Sequence, residues 1–293
     1  MSSNLSAVRI PKPIQYILLV LLLLGSGWVN FVTSFSSLPE ISPQTGQSFH
    51  CEKAFSVNQD SFDIYVTDKT VAVKAIDSFC KNKVIQRQFG NVNVVLGQSD
   101  YDTFRYINHG VVDLALVKSN VVEAFGADQI YGYETIASHP DYSAYFIALK
   151  EKPELSKEYL LGKRIGILDY PSSRSGHIVP KTVLKSLGIN DDNISLLHFN
   201  SHKDLRRALL AGDVDIIASY WGKGDETLLS KNYITALHEG VSGMRWYLKM
   251  QTRNTDLRCA AQQVIKALSA SHSRAYYQSV ELIQPCEDSH DGN

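Results

Sequence analysis

Between Tyr170 and Leu184 the chain reads YPSSRSGHIVPKTVL, the segment where its chemistry is densest. Ser172, Ser173 and Ser175 set hydroxyl donors ahead of a helix-like run, and Arg174 adds a formal positive charge. Gly176 lets backbone N–H groups approach a ligand closely. Pro180 fits only in or near a first helical turn, so the helix starts around His177 to Val179 and Ser172–Gly176 is a loop before it. The unpaired N–H groups of a helix amino end carry partial positive charge and favour anions. Three readings compete. A helix cap accounts for one serine but not three. A serine nucleophile calls for the strained G-x-S-x-G elbow, which is absent, and no downstream Asp…His order compels a triad. A cradle for an oxyanion uses all the donors, although the G-x-x-x-x-G-K-[ST] phosphate loop is not present. We expect no catalytic residue and no cofactor.

Two other groups of residues invite chemistry. His198 and His202 are four apart, but one falls on a strand and the other past its end, so the one-face geometry of a helical zinc pair is not available. No metal site is expected. Tyr220 and Trp221 stand at the carboxyl end of a strand, where a cleft wall is expected and where they could stack on an organic group. Asp225 or Glu226 could pair with an amine there.

The elements that must hold the loop follow from hydrophobic spacing. Phe62–Asp68, Asn91–Gly97 and Val111–Val117 read as strands. A helix over Thr70–Lys83 and another between Ser99 or Asp100 and Gly110 separate them. Tyr142–Lys150 is a longer strand-like run, after which the same order repeats. RIGILDY, ISLLHF and VDIIASY are strands, and helices end at Gly188 and Gly212. MRWYLKMQ then leads into a last helix, DLRCAAQQVIKALSA. The β-α-β-α-β order predicts an α/β fold with mostly parallel sheets. There are two such units, the second inserted in the first, with a cleft between them. Tyr142–Lys150 and Met244–Gln251 are the expected crossings. Residues 51–150 with 245–286 make the first lobe and 151–244 the second.

Ahead of the fold, Arg9 and Lys12 precede an apolar stretch, Ile14–Phe35, that contains ILLVLLLL. It reads as a cleaved signal peptide or as an uncleaved inner-membrane anchor, with residues 1–13 cytoplasmic. Residues 36–50 are a Ser- and Pro-rich linker, and 287–293 a disordered tail. Either reading exports the rest of the chain to the periplasm. Cys51, Cys80, Cys259 and Cys286 all lie beyond the apolar stretch, and an even number in an exported chain favours disulfides. Three connectivities are possible; the short loops favour Cys51–Cys80 and Cys259–Cys286. With 29 basic and 30 acidic residues the chain lacks the positive excess of a general nucleic-acid binder.

SSRSGHIVP, FNSHKDL and AGDVDIIAS occur in that order between Leu168 and Ala218. In this the segment resembles the phosphonate-, phosphite- and phosphate-binding family of periplasmic solute-binding proteins of ABC transporters. GQSDYDTFRYINHGVVDLAL, Gly97–Leu116, extends the resemblance more weakly. It implies a two-lobed, type II periplasmic-binding fold (a Venus flytrap) after the N-terminal segment, closing on a small oxyanion and docking on a membrane permease. It implies that Ser172, Ser173, Ser175, Gly176 and His177 hold the anion and that His202 and Tyr101 contact it across the cleft. The chain departs from the family at LVKSN, where an aromatic-glycine turn is usual, so either Lys118 or Ser119 takes over the anion or the ligand is not a phosphonate. A membrane-tethered sensor module that signals to a membrane-bound partner would use the same cleft.

Overall fold

The computed structural model describes residues 11–14, 16, 21, 47–52, 58 and 60–286. The chain divides into two units, Met1–Thr45 and Gly46–Asn293, and every element below lies in the second. The expected cytoplasmic terminus, signal or anchor segment, most of the linker and the tail at 287–293 therefore lie outside the described residues, apart from residues 11–14, 16, 21 and 47–50. Among the described residues no helix is long and apolar enough to cross a membrane.

The expected β-α-β-α-β order is present, but the two sheets are mixed and not mostly parallel, because the strands outside those units are added antiparallel. The first has seven strands. β1 is Ser48–Glu52, β2 Ser61–Val66, β3 Asn91–Leu96, β4 Leu114–Lys118 and β5 Tyr133–Ser138. β11, Met244–Lys249, and β12, Glu281–Leu282, complete it in the order β1-β3-β2-β4-β11-β5-β12. Only β3, β2 and β4 run parallel; β1, β11, β5 and β12 are added antiparallel. The second sheet has the order β10-β6-β9-β7-β8. It is built from β6, Tyr142–Ala148, β7, Arg164–Leu168, β8, Ser195–Phe199, β9, Ile216–Tyr220, and β10, Ile234–Val241. Here β8, β7 and β9 are parallel, and β6 and β10 are antiparallel.

Both sheets are covered on both faces, which is why their central strands carry runs of consecutive buried residues instead of strict alternation. In β2, Phe62, Ile64 and Val66 face one core with Phe79, Leu257 and Ile265. Helices α1, Lys69–Lys81, and α9, Thr255–Ala270, supply the latter three. Tyr65, between them in sequence, faces the opposite core with Ile107 of α3, Asp100–Asn108. The second sheet repeats the plan. Ile165 and Ile167 pack with Leu184 of α7, Val179–Ser186, while Leu168 packs with Leu205 and Leu209 of α8, His202–Ala211.

Three further expectations need correction. Tyr142–Ala148 belongs to the second sheet, paired with β9 and β10, so the first lobe ends before Tyr142 and not at residue 150. An apolar run of this length suits either sheet; its partners decide. The crossings are accordingly the short connections 139–141 and 242–243, just ahead of β6 and β11. There the His139 N–H donates to Met244 O at 2.8 Å and the Gly243 N–H to Asp141 Oδ1 at 2.9 Å. A side chain at Gly243 would collide with the carbonyls of His139 and Pro140, so the touching crossings require glycine. Last, residues 48–50 are strand and not linker, because Phe49 packs on the first core and Cys51 is tied down. The disulfides are Cys51–Cys80 and Cys259–Cys286, with Cα–Cα separations of 6.5 and 5.5 Å, as the short loops suggest.

Candidate functional site

The serine-rich loop leaves the carboxyl end of β7 and enters α7 through a π-type turn, Arg174–Ile178. Tyr170 O accepts from the Ser173 N–H at 2.8 Å, and Ser173 O accepts from the N–H groups of His177 and Ile178. The Ser173 hydroxyl accepts from the Gly176 N–H at 3.3 Å and caps the turn. Pro180 sits in the first turn of α7, as its missing N–H dictates. Ser173, Ser175 and Gly176 are buried. A side chain at Gly176 would press on Leu168, so the glycine here serves close packing against β7. His177 has its Nδ1 bound to Leu168 O at 2.7 Å.

Ser172 is where the two lobes meet. Its N–H donates to Asp100 Oδ2 at 3.0 Å and its hydroxyl to Asp100 Oδ1. Lys118 Nζ donates to the same hydroxyl at 2.7 Å, and Asn120 Nδ2 reaches Ser172 O at 3.5 Å. Asp100 opens α3 and Lys118 ends β4, so both come from the first lobe. The Lys118 ammonium also lies 4.8 Å from the centre of the Tyr170 ring. Burial brings its pKa down to about 8; Asp100 opposes that shift and Arg174 adds to it. Lys118 is therefore mostly charged at neutral pH, in a setting that penalises the charge.

Arg174 carries a second cation into the same region. Its Nε and Nη1 are buried without a hydrogen-bond partner among the described residues, and its guanidinium stands 5.9 Å from the Tyr142 ring centre. Buried donors of this kind are costly when left unmade.

His202 closes the wall from the start of α8. Its Nδ1 lies 2.8 Å from Ser219 Oγ, which also accepts from Arg206 Nη1 at 3.2 Å. With Arg206 donating to Ser219, the hydroxyl proton is free for Nδ1, which leaves the neutral ring's own proton on Nε2. Burial, then the charges of Arg206 and Lys118, lowers the His202 pKa to about 4. The ring is neutral at neutral pH and can donate one hydrogen bond. Tyr220 packs edge-on against His202 at 4.8 Å.

Tyr101 is 65% exposed, and its neighbour Asp100 is the residue of α3 that reaches the loop. Asp225 pairs with Arg206 (Nη2–Oδ2 2.6 Å) and Glu226 with Lys231, so neither is held free for a ligand amine. Ser119, the other candidate beside Lys118, is buried. His198 is exposed on β8, and among the described residues no three metal-binding side chains cluster. Asp100 was missed because a helix-opening acid reads as a cap; its cap role is in fact filled by Ser99 and Asp102.

Residues 85–225 match the family model of ABC-transporter phosphonate periplasmic substrate-binding proteins. No curated protein matches the chain. Among solved structures, the chain is similar to PhnD1 of Prochlorococcus marinus in complex with methylphosphonate. The two are 13% identical with a TM-score of 0.55, over 75% of this chain and 88% of that one. A Xanthomonas citri protein bound to ATP is also 13% identical, with a TM-score of 0.54 over 73% and 85%. A binding protein component of an ABC phosphonate transporter from Pseudomonas aeruginosa is 18% identical, with a TM-score of 0.51 over 77% and 82%. These likenesses give the two sheets the type II periplasmic-binding fold. Residues 85–225 are therefore similar to the periplasmic phosphonate substrate-binding proteins of ABC transporters, within a chain whose two sheets have the type II periplasmic-binding fold.

Proposed function

We propose that this protein captures a small phosphate- or phosphonate-like oxyanion in the periplasm and presents it to a membrane permease. The observation that carries the reading is the presence of two half-buried cations, Lys118 and Arg174, at the Ser172–Gly176 loop, with two buried guanidinium nitrogens left unpartnered among the described residues. An oxyanion supplies what those groups lack: several acceptor oxygens and a negative charge. The hydroxyls of Ser172, Ser173 and Ser175 and the neutral His202 add uncharged donors, and Tyr220 walls the end of β9. The relative from Prochlorococcus marinus was solved with methylphosphonate, which makes that compound the first to test.

The same geometry speaks against a hydrolase. The Nδ1 atoms of His177 and His202 bind the Leu168 carbonyl and the Ser219 hydroxyl, and not a serine of the loop. A thermal-shift screen of methylphosphonate, phosphate, phosphite, sulfate and acetate tests the proposal. A tetrahedral oxyanion raises Tm in proportion to the logarithm of its concentration above Kd; a screen in which none does so removes the reading. A sensor role for the same cleft depends on the apolar stretch Ile14–Phe35 staying uncut as an anchor. Amino-terminal sequencing of the exported protein separates the two, because a cut after this segment leaves nothing to tether.

A further inference from the structure

Asp100 stands where a ligand is expected. Its two oxygens accept from the N–H and the hydroxyl of Ser172, the first donors of the anion loop, while Lys118 holds the same hydroxyl. The carboxylate comes from the opposite lobe, and helix α3 does not need it. Ser99 Oγ caps the Asp102 N–H at 3.1 Å, and Asp102 Oδ2 accepts from the N–H groups of Gln98 and Ser99. Asp100 is thus free to cross the cleft. It also offsets the penalty that burial and the nearby Arg174 place on the Lys118 charge.

We propose that Asp100 is a built-in counter-anion: it latches the ligand-free lobes through Ser172, and an incoming oxyanion binds by displacing it. This rests on the oxyanion reading of the cleft. It goes further in assigning a residue that keeps affinity below its intrinsic value, because ligand and carboxylate compete for the same donors. Apparent affinity is the intrinsic affinity multiplied by the fraction of molecules in which the latch is open. The latch also favours ligands whose charge exceeds that of one carboxylate.

Two readouts test it. Interlobe distances are measured by pulsed electron resonance between nitroxides at Val73→Cys on α1 and Leu210→Cys on α8, both exposed, with the native cysteines all in disulfides. Without added anion, Asp100→Asn and Ser172→Ala both shift the distances to longer values than in the parent. In calorimetry with methylphosphonate, Asp100→Asn binds about tenfold tighter while Ser172→Ala binds more weakly, a split that a purely structural contact would not give. An unchanged distance distribution in Asp100→Asn overturns the latch whatever binds. Methylphosphonate binding by the parent that is equal or weaker in Asp100→Asn overturns the competition. If Asp100→Asn opens the lobes but neither protein binds methylphosphonate, phosphate, phosphite or sulfate, the oxyanion reading itself has failed and the competition falls with it.

Discussion

On the second lobe's wall of the cleft, Ser173, His177 and His202 make their side-chain hydrogen bonds inside their own lobe, to Gly176, Leu168 and Ser219. On the first lobe's wall, Asp100 and Lys118 make theirs across the cleft, both to Ser172. One wall is held in shape whether or not the lobes meet. The other has charged groups whose partners exist only on closure. The difference assigns two jobs. Under the proposed function, the pre-set donors of one wall define where an anion sits, and charge reaching across the gap makes closing depend on what lies between.

The sharpest way to break this comparison is to remove a cation. Arg174→Met should weaken oxyanion binding on the order of 100-fold, since a hydrogen bond to a charged group is worth about 1.5–3 kcal/mol and here two nitrogens await partners. Fold and Tm without ligand should be kept or improved, because an unpaired buried charge is removed. Lys118→Met should cost about 10-fold in affinity by the same arithmetic. It should also flatten the pH profile. In the parent, affinity should decline above about pH 8 as Lys118 loses its proton, and calorimetry across that range reads the slope.

On the pre-set wall the expected effect is on stability. Between the ordinary value of 6.5 and about 4, the unfolded chain takes up a proton that folded His202 refuses, so stability falls as pH falls through that window. His202→Gln should lose less stability than the parent between neutral and mildly acidic pH, as urea unfolding measures. Part of the acid loss should remain, because burial also lowers the pKa of His139 and His272. The smallest effect is expected at Tyr101: Tyr101→Ala should change affinity by less than about twofold, the size typical of an exposed substitution. A large loss there would return Tyr101 to the site and weaken the contrast between the walls.

The two walls also differed in how legible they were. The loop was readable because its serines, Gly176 and Pro180 each have a local reason to stand at a helix entrance, and local reasons are written in adjacent residues. Ser99, Gly110, Gly188 and Gly212 marked helix ends for the same reason, the three glycines at positive φ. Asp100 acts 72 residues from Ser172 and nothing local distinguishes it from a cap, whereas Lys118, 54 residues away, stood out only through the departure at LVKSN. Tyr142–Ala148 was assigned to the wrong lobe because strand pairing is a property of partners and not of the strand. Asp225 seemed available to a ligand until its pairing with Arg206 could be seen.

Calorimetric titration of the ligand-free protein with methylphosphonate at neutral pH, beside Arg174→Met, tests the central claim most directly. The account predicts saturable one-to-one binding by the parent and a loss of that binding in the variant. An absence of binding heat with methylphosphonate, phosphate, phosphite and sulfate alike, or undiminished binding by Arg174→Met, would contradict it.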